Sequence, residues 1–102
     1  MLKFVLIERP NNEAEIRLFN VEMHCDLVHK GEKCLGGGFW NFDNDKKEIV
    51  MWDKSFDFGY PKFEGRKIIC YDEDWEDFEF YYVYDLFMPR DEESKINVIV
   101  SK

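Results

Sequence analysis

Three consecutive glycines, Gly36-Gly37-Gly38, sit inside a run from Lys33 to Phe42 that otherwise has the β-branched and aromatic character of a strand. Glycine weakens a strand, because it loses the most backbone entropy and packs no side chain. Three in a row are therefore tolerated only at a bulge, or where another backbone or a ligand comes very close. The rest of the chain has to be folded around that close approach.

The flanking pattern supplies a partner strand. Asp43-Asn44-Asp45 is a turn signal, and Glu48 to Phe56 reads as a second strand, so the glycine strand belongs to a β-hairpin. Upstream, Lys3 to Glu8 reads as a buried strand ended by Arg9-Pro10-Asn11-Asn12. Glu15 to Val21 reads as another strand, with two possible registers: Ile16 and Leu18 on one face, or Arg17, Phe19 and Val21 on the other. From Met23 to Lys30 the spacing turns helical, with Asp26 suited to a first turn and Gly31 to a stop, and predicts two or three turns. Lys62 to Tyr71 reads as a short helix. Phe78 to Phe87 reads as an aromatic strand with Phe80, Tyr82, Tyr84 and Leu86 on one face, and Ile96 to Val100 as a last short strand. The expectation is a single α+β domain over residues 1–102, with a mixed five- or six-stranded sheet and one or two short helices.

Apolar residues make up 45% of the 102, enough for a packed core and too many for wholesale disorder. The apolar run Phe4 to Ile7 is too short for a signal sequence or a membrane span. Three cysteines, an odd number, point to reduced thiols. Together these predict a soluble, cytoplasmic protein. The net charge of −8 is unevenly spread. Asp72, Glu73, Asp74, Glu76, Asp77 and Glu79 form one acidic run, and Asp91, Glu92 and Glu93 another. The other 13 acids face 14 Lys and Arg, so the body of the chain is near neutral. Direct nucleic-acid binding is disfavoured, since phosphates demand clustered Lys and Arg. The 72–79 run reads first as a solvated loop, and otherwise as an acidic decoy surface for a basic protein partner.

Candidate chemistry centres on His24, an imidazole able to act as nucleophile or general base near neutral pH. Gly36, Gly37 and Gly38 can bring backbone amides against a phosphate, although no P-loop context accompanies them. Ser55, at the end of a strand, offers a hydroxyl to a phosphoryl oxygen. His24, Cys25, His29, Cys34 and Cys70 lack the spacing of a zinc site, so neither metal nor cofactor is expected.

Four blocks, in order, carry a family resemblance: Lys3-Phe4-Val5-Leu6-Ile7, His24-Cys25-Asp26-Leu27, Cys34-Leu35-Gly36-Gly37-Gly38, and Ser55 with Phe58-Gly59. In them the chain resembles the Janus/Ocnus family of phosphohistidine phosphatases, over less than half its length. The resemblance implies a phosphohistidine phosphatase-like fold and a metal-free phosphohydrolase. Its substrate would be a phosphohistidine-containing protein or a small phosphoramidate. His24 would be catalytic. The His24 and Asp57 amides and the Ser55 hydroxyl would hold phosphoryl oxygens, with Lys3 and Arg17 adding positive charge. The chain departs from the family pattern in three places. Phe39 stands where the family has an arginine, Asp57 replaces a small residue, and the segment between His24 and Cys34 is about ten residues short. These departures motivate an alternative, a catalytically degenerate member that binds phosphate or protein.

Overall fold

The computed structural model describes residues 1–101 and is dominated by one mixed eight-stranded sheet. The strands are β1 (Leu2–Arg9), β2 (Glu13–Asn20), β3 (Cys34–Asp43), β4 (Glu48–Trp52), β5 (Lys67–Cys70), β6 (Glu79–Val83), β7 (Lys95–Ile96) and β8 (Val98–Val100). Their spatial order is β7-β6-β4-β3-β1-β2-β5-β8. The α+β expectation is corrected: the described helical elements are three short 3-10 turns, His24–Leu27, Glu73–Trp75 and Glu92–Ser94. Strands number eight, not five or six.

The order of strands dictates a curled shape. β7 lies at one edge of the sheet and β8 at the other, yet only Asn97 separates them in the chain. One residue spans only a few ångströms (about 3.3–3.6 Å when extended), so the two edges must meet. The sheet therefore rolls into a barrel-like closure. The Lys95–Val100 segment joins its two sides, pairing antiparallel with β6 in its first half and parallel with β5 in its second.

Alternation along each strand fills the inside. Phe4, Leu6, Ala14, Ile16, Leu18, Leu35, Trp40, Ile49, Met51, Ile68, Cys70 and Phe80 form one buried cluster. The ambiguous register of β2 is settled by its neighbour: Phe4 pairs with Leu18 and Leu6 with Ile16, which places Ile16 and Leu18 inside. On the outer face of β1, Val5 and Ile7 are covered by Leu27, with Val21, Val28 and Cys34 packed around them.

Two predicted helices are replaced. Residues 23–30 make only the single turn His24–Leu27, because polar side chains claim groups a longer helix would use. Arg17 Nη1 donates to the Leu27 carbonyl at 2.7 Å, the Glu32 carboxylate accepts from the His29 amide at 2.7 Å, and Val28 is already extended. In the segment 62–71, Gly65 turns the chain at φ +75° and Ile68 alternates with Ile69, giving β5 parallel to β2. The β-branched pair outweighs the weak helical pattern. The aromatic strand ends at Val83, and Tyr84 and Leu86 lie exposed beyond it. β4 likewise stops at Trp52, where Asp53 takes φ +64°.

The acidic run is anchored by its aromatics. Trp75 packs edge-on against Trp40 and Phe78, while Glu73, Asp74, Glu76 and Asp77 face outward. No helix among the described residues is long and apolar enough to cross a membrane.

Candidate functional site

The three glycines are explained by contacts on both sides of the sheet. A Cβ at Gly36 would lie 2.1 Å from the Tyr60 carbonyl oxygen, one at Gly37 2.3 Å from that of Phe4, and one at Gly38 2.4 Å from that of Trp52. Gly36 also sits at φ +107°, a backbone region that L side chains rarely adopt. The register between β1 and β3 shifts at this point, between Val5 and Ile7. The Gly37 amide is committed, donating to Gly59 O at 3.2 Å. The triplet thus serves close backbone crossing.

That crossing also creates the seat of His24. On the outer face a Gly37 side chain would meet His24 Cδ2 at 3.2 Å, so the imidazole stands where a side chain at position 37 would stand. The ring is 5% exposed, and its Nε2 lies 2.7 Å from the Gly38 carbonyl oxygen. A carbonyl only accepts, so Nε2 carries the proton and, in the neutral ring, Nδ1 keeps the free electron pair. Burial lowers the His24 pKa from its ordinary 6.5; nearby Lys3 lowers it further, while the Gly38 hydrogen bond and the Asp57 carboxylate oppose this. The ring is neutral at pH 7.

His24 lines a cleft of about 270 Å³ together with Lys3, Phe39, Asp53, Lys54 and Phe56. Lys3 lies across from Phe39 in the β1–β3 register, and its Nζ donates to the Glu22 carbonyl. Lys54 Nζ sits 5.3 Å from the centre of the Tyr60 ring. Phe39 presents its ring to His24 at 5.7 Å and 69°. Phe56 is 99% exposed at the border. The cleft combines Lys3, Lys54 and a neutral imidazole with the acidic Asp53, a set able to bind a charged ligand and exchange a proton with it.

The predicted residues divide. His24, Lys3 and the glycine strand come together, and Asp57 is close enough to act on the His24 charge. Ser55 and Arg17 are engaged elsewhere. Ser55 is 1% exposed; its hydroxyl accepts the Phe58 amide at 3.2 Å, and its backbone pairs with Gly59. Arg17 pairs with Glu15 at 2.8 Å and with Glu32 at 2.7 Å, a cluster that Arg9 joins. Lys54 and Asp53 escaped the sequence reading, since the turn after β4 that brings them to the cleft depends on the positive φ of Asp53. Among the described residues, no group of three or more His, Cys, Asp or Glu is placed to hold a metal ion.

The Arg17 cluster fixes the segment carrying the site and makes it acid-sensitive. The Arg17 hydrogen bond, followed by that of the His29 amide, holds the Glu32 carboxyl far below its ordinary 4.5. A depressed carboxyl stabilises the fold above its unfolded pKa, and that stability is lost as pH falls below about 4.5. The lowered pKa of His24 acts in the same direction at higher pH: the unfolded ring takes up a proton as pH falls through about 6.5, before the folded one does. Thermal melts across pH should therefore decline in two stages. Glu32→Gln should remove the lower stage while lowering the melting temperature at pH 7; an unchanged acid limb would refute the assignment.

No family model, no curated protein and no solved structure matches the chain.

Proposed function

We propose that the cleft is a phosphoryl site and that the protein is a metal-free phosphohydrolase acting on phosphohistidine or a related phosphoramidate. The observation that carries this reading is the hydrogen bond from His24 Nε2 to the Gly38 carbonyl, made by a ring that burial keeps neutral beside Lys3 and Lys54. It fixes the tautomer and leaves Nδ1 basic. The resemblance of four blocks to the Janus/Ocnus family supports the same chemistry.

Two routes begin at Nδ1. In the first, Nδ1 attacks phosphorus, the substrate P–N bond breaks, and the leaving imidazole takes a proton from solvent; water then attacks the phosphorylated His24, whose own P–N bond breaks to release phosphate. In the second, Nδ1 removes a proton from water as the water oxygen attacks phosphorus and the P–N bond breaks, and the protonated His24 then gives that proton to the leaving nitrogen. Either way, Lys3 and Lys54 offset the charge on the phosphoryl oxygens, which accelerates reaction only as far as they bind the transition state better than the substrate.

His24→Gln is the informative variant, since a glutamine amide can still donate towards Gly38 O while the imidazole is gone. Phosphate release from a phosphohistidine peptide should fall by at least about 100-fold, the lower range for a positioned acid–base group, with thermal unfolding little changed. The wild-type rate should be flat from alkaline pH down through 6.5, the ordinary imidazole value, and fall only at lower pH, because burial delays protonation of the ring. Equal rates in wild type and variant would rule the phosphatase out.

A second reading is favoured by Phe39, whose ring edge meets His24 where a cation would help phosphoryl transfer. It makes the protein a non-catalytic module that binds a phosphorylated segment. Saturable binding of the peptide without phosphate release would identify it.

A further inference from the structure

We infer that Tyr82 and Tyr60 are positioning residues for Lys54: they hold its main chain and its ammonium group so that the charge is presented to an anion in the cleft. The inference rests on the phosphoryl reading of the cleft and adds how one of its two lysines is kept in place.

A lysine needs such help. Its four-carbon stem has many rotamers, and the entropy lost in ordering it at a bound anion is subtracted from affinity. Lys3 stands on β1, but Lys54 lies two residues past the end of β4 and belongs to no strand. The residue before it, Asp53, takes the left-handed conformation at φ +64°. Aspartate tolerates that region better than most residues, yet such a turn persists only where its surroundings over-determine it.

Tyr82 supplies the surroundings. β6 runs parallel to β4, with Met51 beside Tyr82 and Trp52 beside Val83, and the Tyr82 hydroxyl donates to the Asp53 carbonyl. The ring is itself fixed by packing against Phe4 at 6.5 Å, Phe63 at 5.4 Å and Tyr84 at 5.9 Å. Burial raises the Tyr82 pKa above its ordinary 10, and Tyr84, Tyr60 and Asp53 add to the effect, so the hydroxyl stays a donor at neutral pH. On its other side the Asp53 carbonyl is pressed towards Gly38, where a Cβ would lie 3.1 Å from it. The Gly38 carbonyl in turn is the acceptor for His24 Nε2. The turn that carries Lys54 and the imidazole are thus set against the same residue.

The ammonium end is held separately. Lys54 Nζ stands 5.3 Å from the centre of the Tyr60 ring, within cation–π range. Tyr60 meets Tyr84 edge-on at 5.6 Å, and Tyr84 meets Tyr82 edge-on at 5.9 Å. Tyr82 is therefore linked to both ends of Lys54, directly through the carbonyl that precedes it and through Tyr84 and Tyr60 to its head group. Neither Tyr82 nor Tyr60 lines the cleft, so both act through Lys54 and not on the ligand.

A double-mutant cycle, read by calorimetric titration with methylphosphonate, separates this role from a general loosening of the fold. Lys54→Ala should weaken binding at least about tenfold, the worth of a charged contact. Tyr82→Phe, which keeps the ring and removes only the hydroxyl, should weaken it at least about threefold, and so should Tyr60→Leu. In the Lys54→Ala background neither tyrosine change should weaken binding further, whereas combined with Lys3→Ala the losses should multiply. The Lys54 methylene proton resonances, shifted by the Tyr60 ring in the wild type, should move towards those of a free lysine in both tyrosine variants. Unchanged affinity in both tyrosine variants, losses that multiply with that of Lys54→Ala, or unmoved Lys54 resonances in Tyr82→Phe would overturn the inference and leave the phosphoryl reading standing. Failure of the wild type to bind methylphosphonate would overturn both.

Discussion

Gly37→Ala should unfold the protein or lower its melting temperature by on the order of 15 °C, given about 4–8 °C per kcal/mol for a domain this size. The added methyl would lie 2.3 Å from the Phe4 carbonyl oxygen, a backbone atom of the central strand that cannot rotate away. It would also press on His24 at 3.2 Å. Relief would require separating β1 from β3 in the middle of the sheet. Overpacking of this kind typically costs about 1–3 kcal/mol and occasionally more, out of a total stability of about 5–15 kcal/mol for proteins in general. The comparison variant is Gly65→Ala. Gly65 also adopts a positive φ, at +75°, but its Cβ would meet nothing within 4 Å. It should lose only the conformational penalty, about 1 kcal/mol. Circular dichroism melts of the two variants decide the matter: similar losses would mean that the strands do not approach so closely.

Ending the chain after Ser94 should have an effect of comparable size. It removes β7 and β8 together and uncovers two strand edges, those of β5 and β6, with Ile68 and Phe80 behind them. Ile96, Val98 and Val100 leave the core in the same step. The shortened chain should bind a hydrophobic dye, lose its cooperative denaturant transition, and associate through the opened edges. A monomer with the original denaturation midpoint would show that the closing segment contributes little.

Much of the sheet was legible because period-two alternation survives wherever one face is buried. Lys3 to Glu8, the Pro10–Asn12 turn and the β3–β4 hairpin follow directly from it. What could not be read locally depended on distant partners. The helical spacing of residues 23–30 gave way to Arg17 and Glu32, whose contacts with Leu27 and His29 are invisible in the pattern of that segment. The closure by Lys95–Val100 depends on strand order, which no local window contains. The site was half legible. The stretch from His24 to Gly38 holds the residues that meet, since the glycines and the imidazole occupy complementary space. Ser55 and Arg17 were plausible by residue type, but each is held by nearer partners: a turn amide for one and two carboxylates for the other. Lys54 was overlooked because its position depends on a single backbone angle at Asp53.

The rolled sheet also bears on how folding can be watched. The β1–β2 and β3–β4 pairs are hairpins that can form early, whereas the β4–β6, β2–β5 and β5–β8 pairs join distant segments in parallel and must wait for longer loops to close. All three tryptophans, Trp40, Trp52 and Trp75, precede the closing segment, which carries none. Their fluorescence will therefore report the hairpin and its aromatic cluster. The final joining of the two edges will be seen by amide hydrogen exchange at Ile68 to Cys70 and Val98 to Val100, and the delay between the two signals measures the time the sheet takes to close.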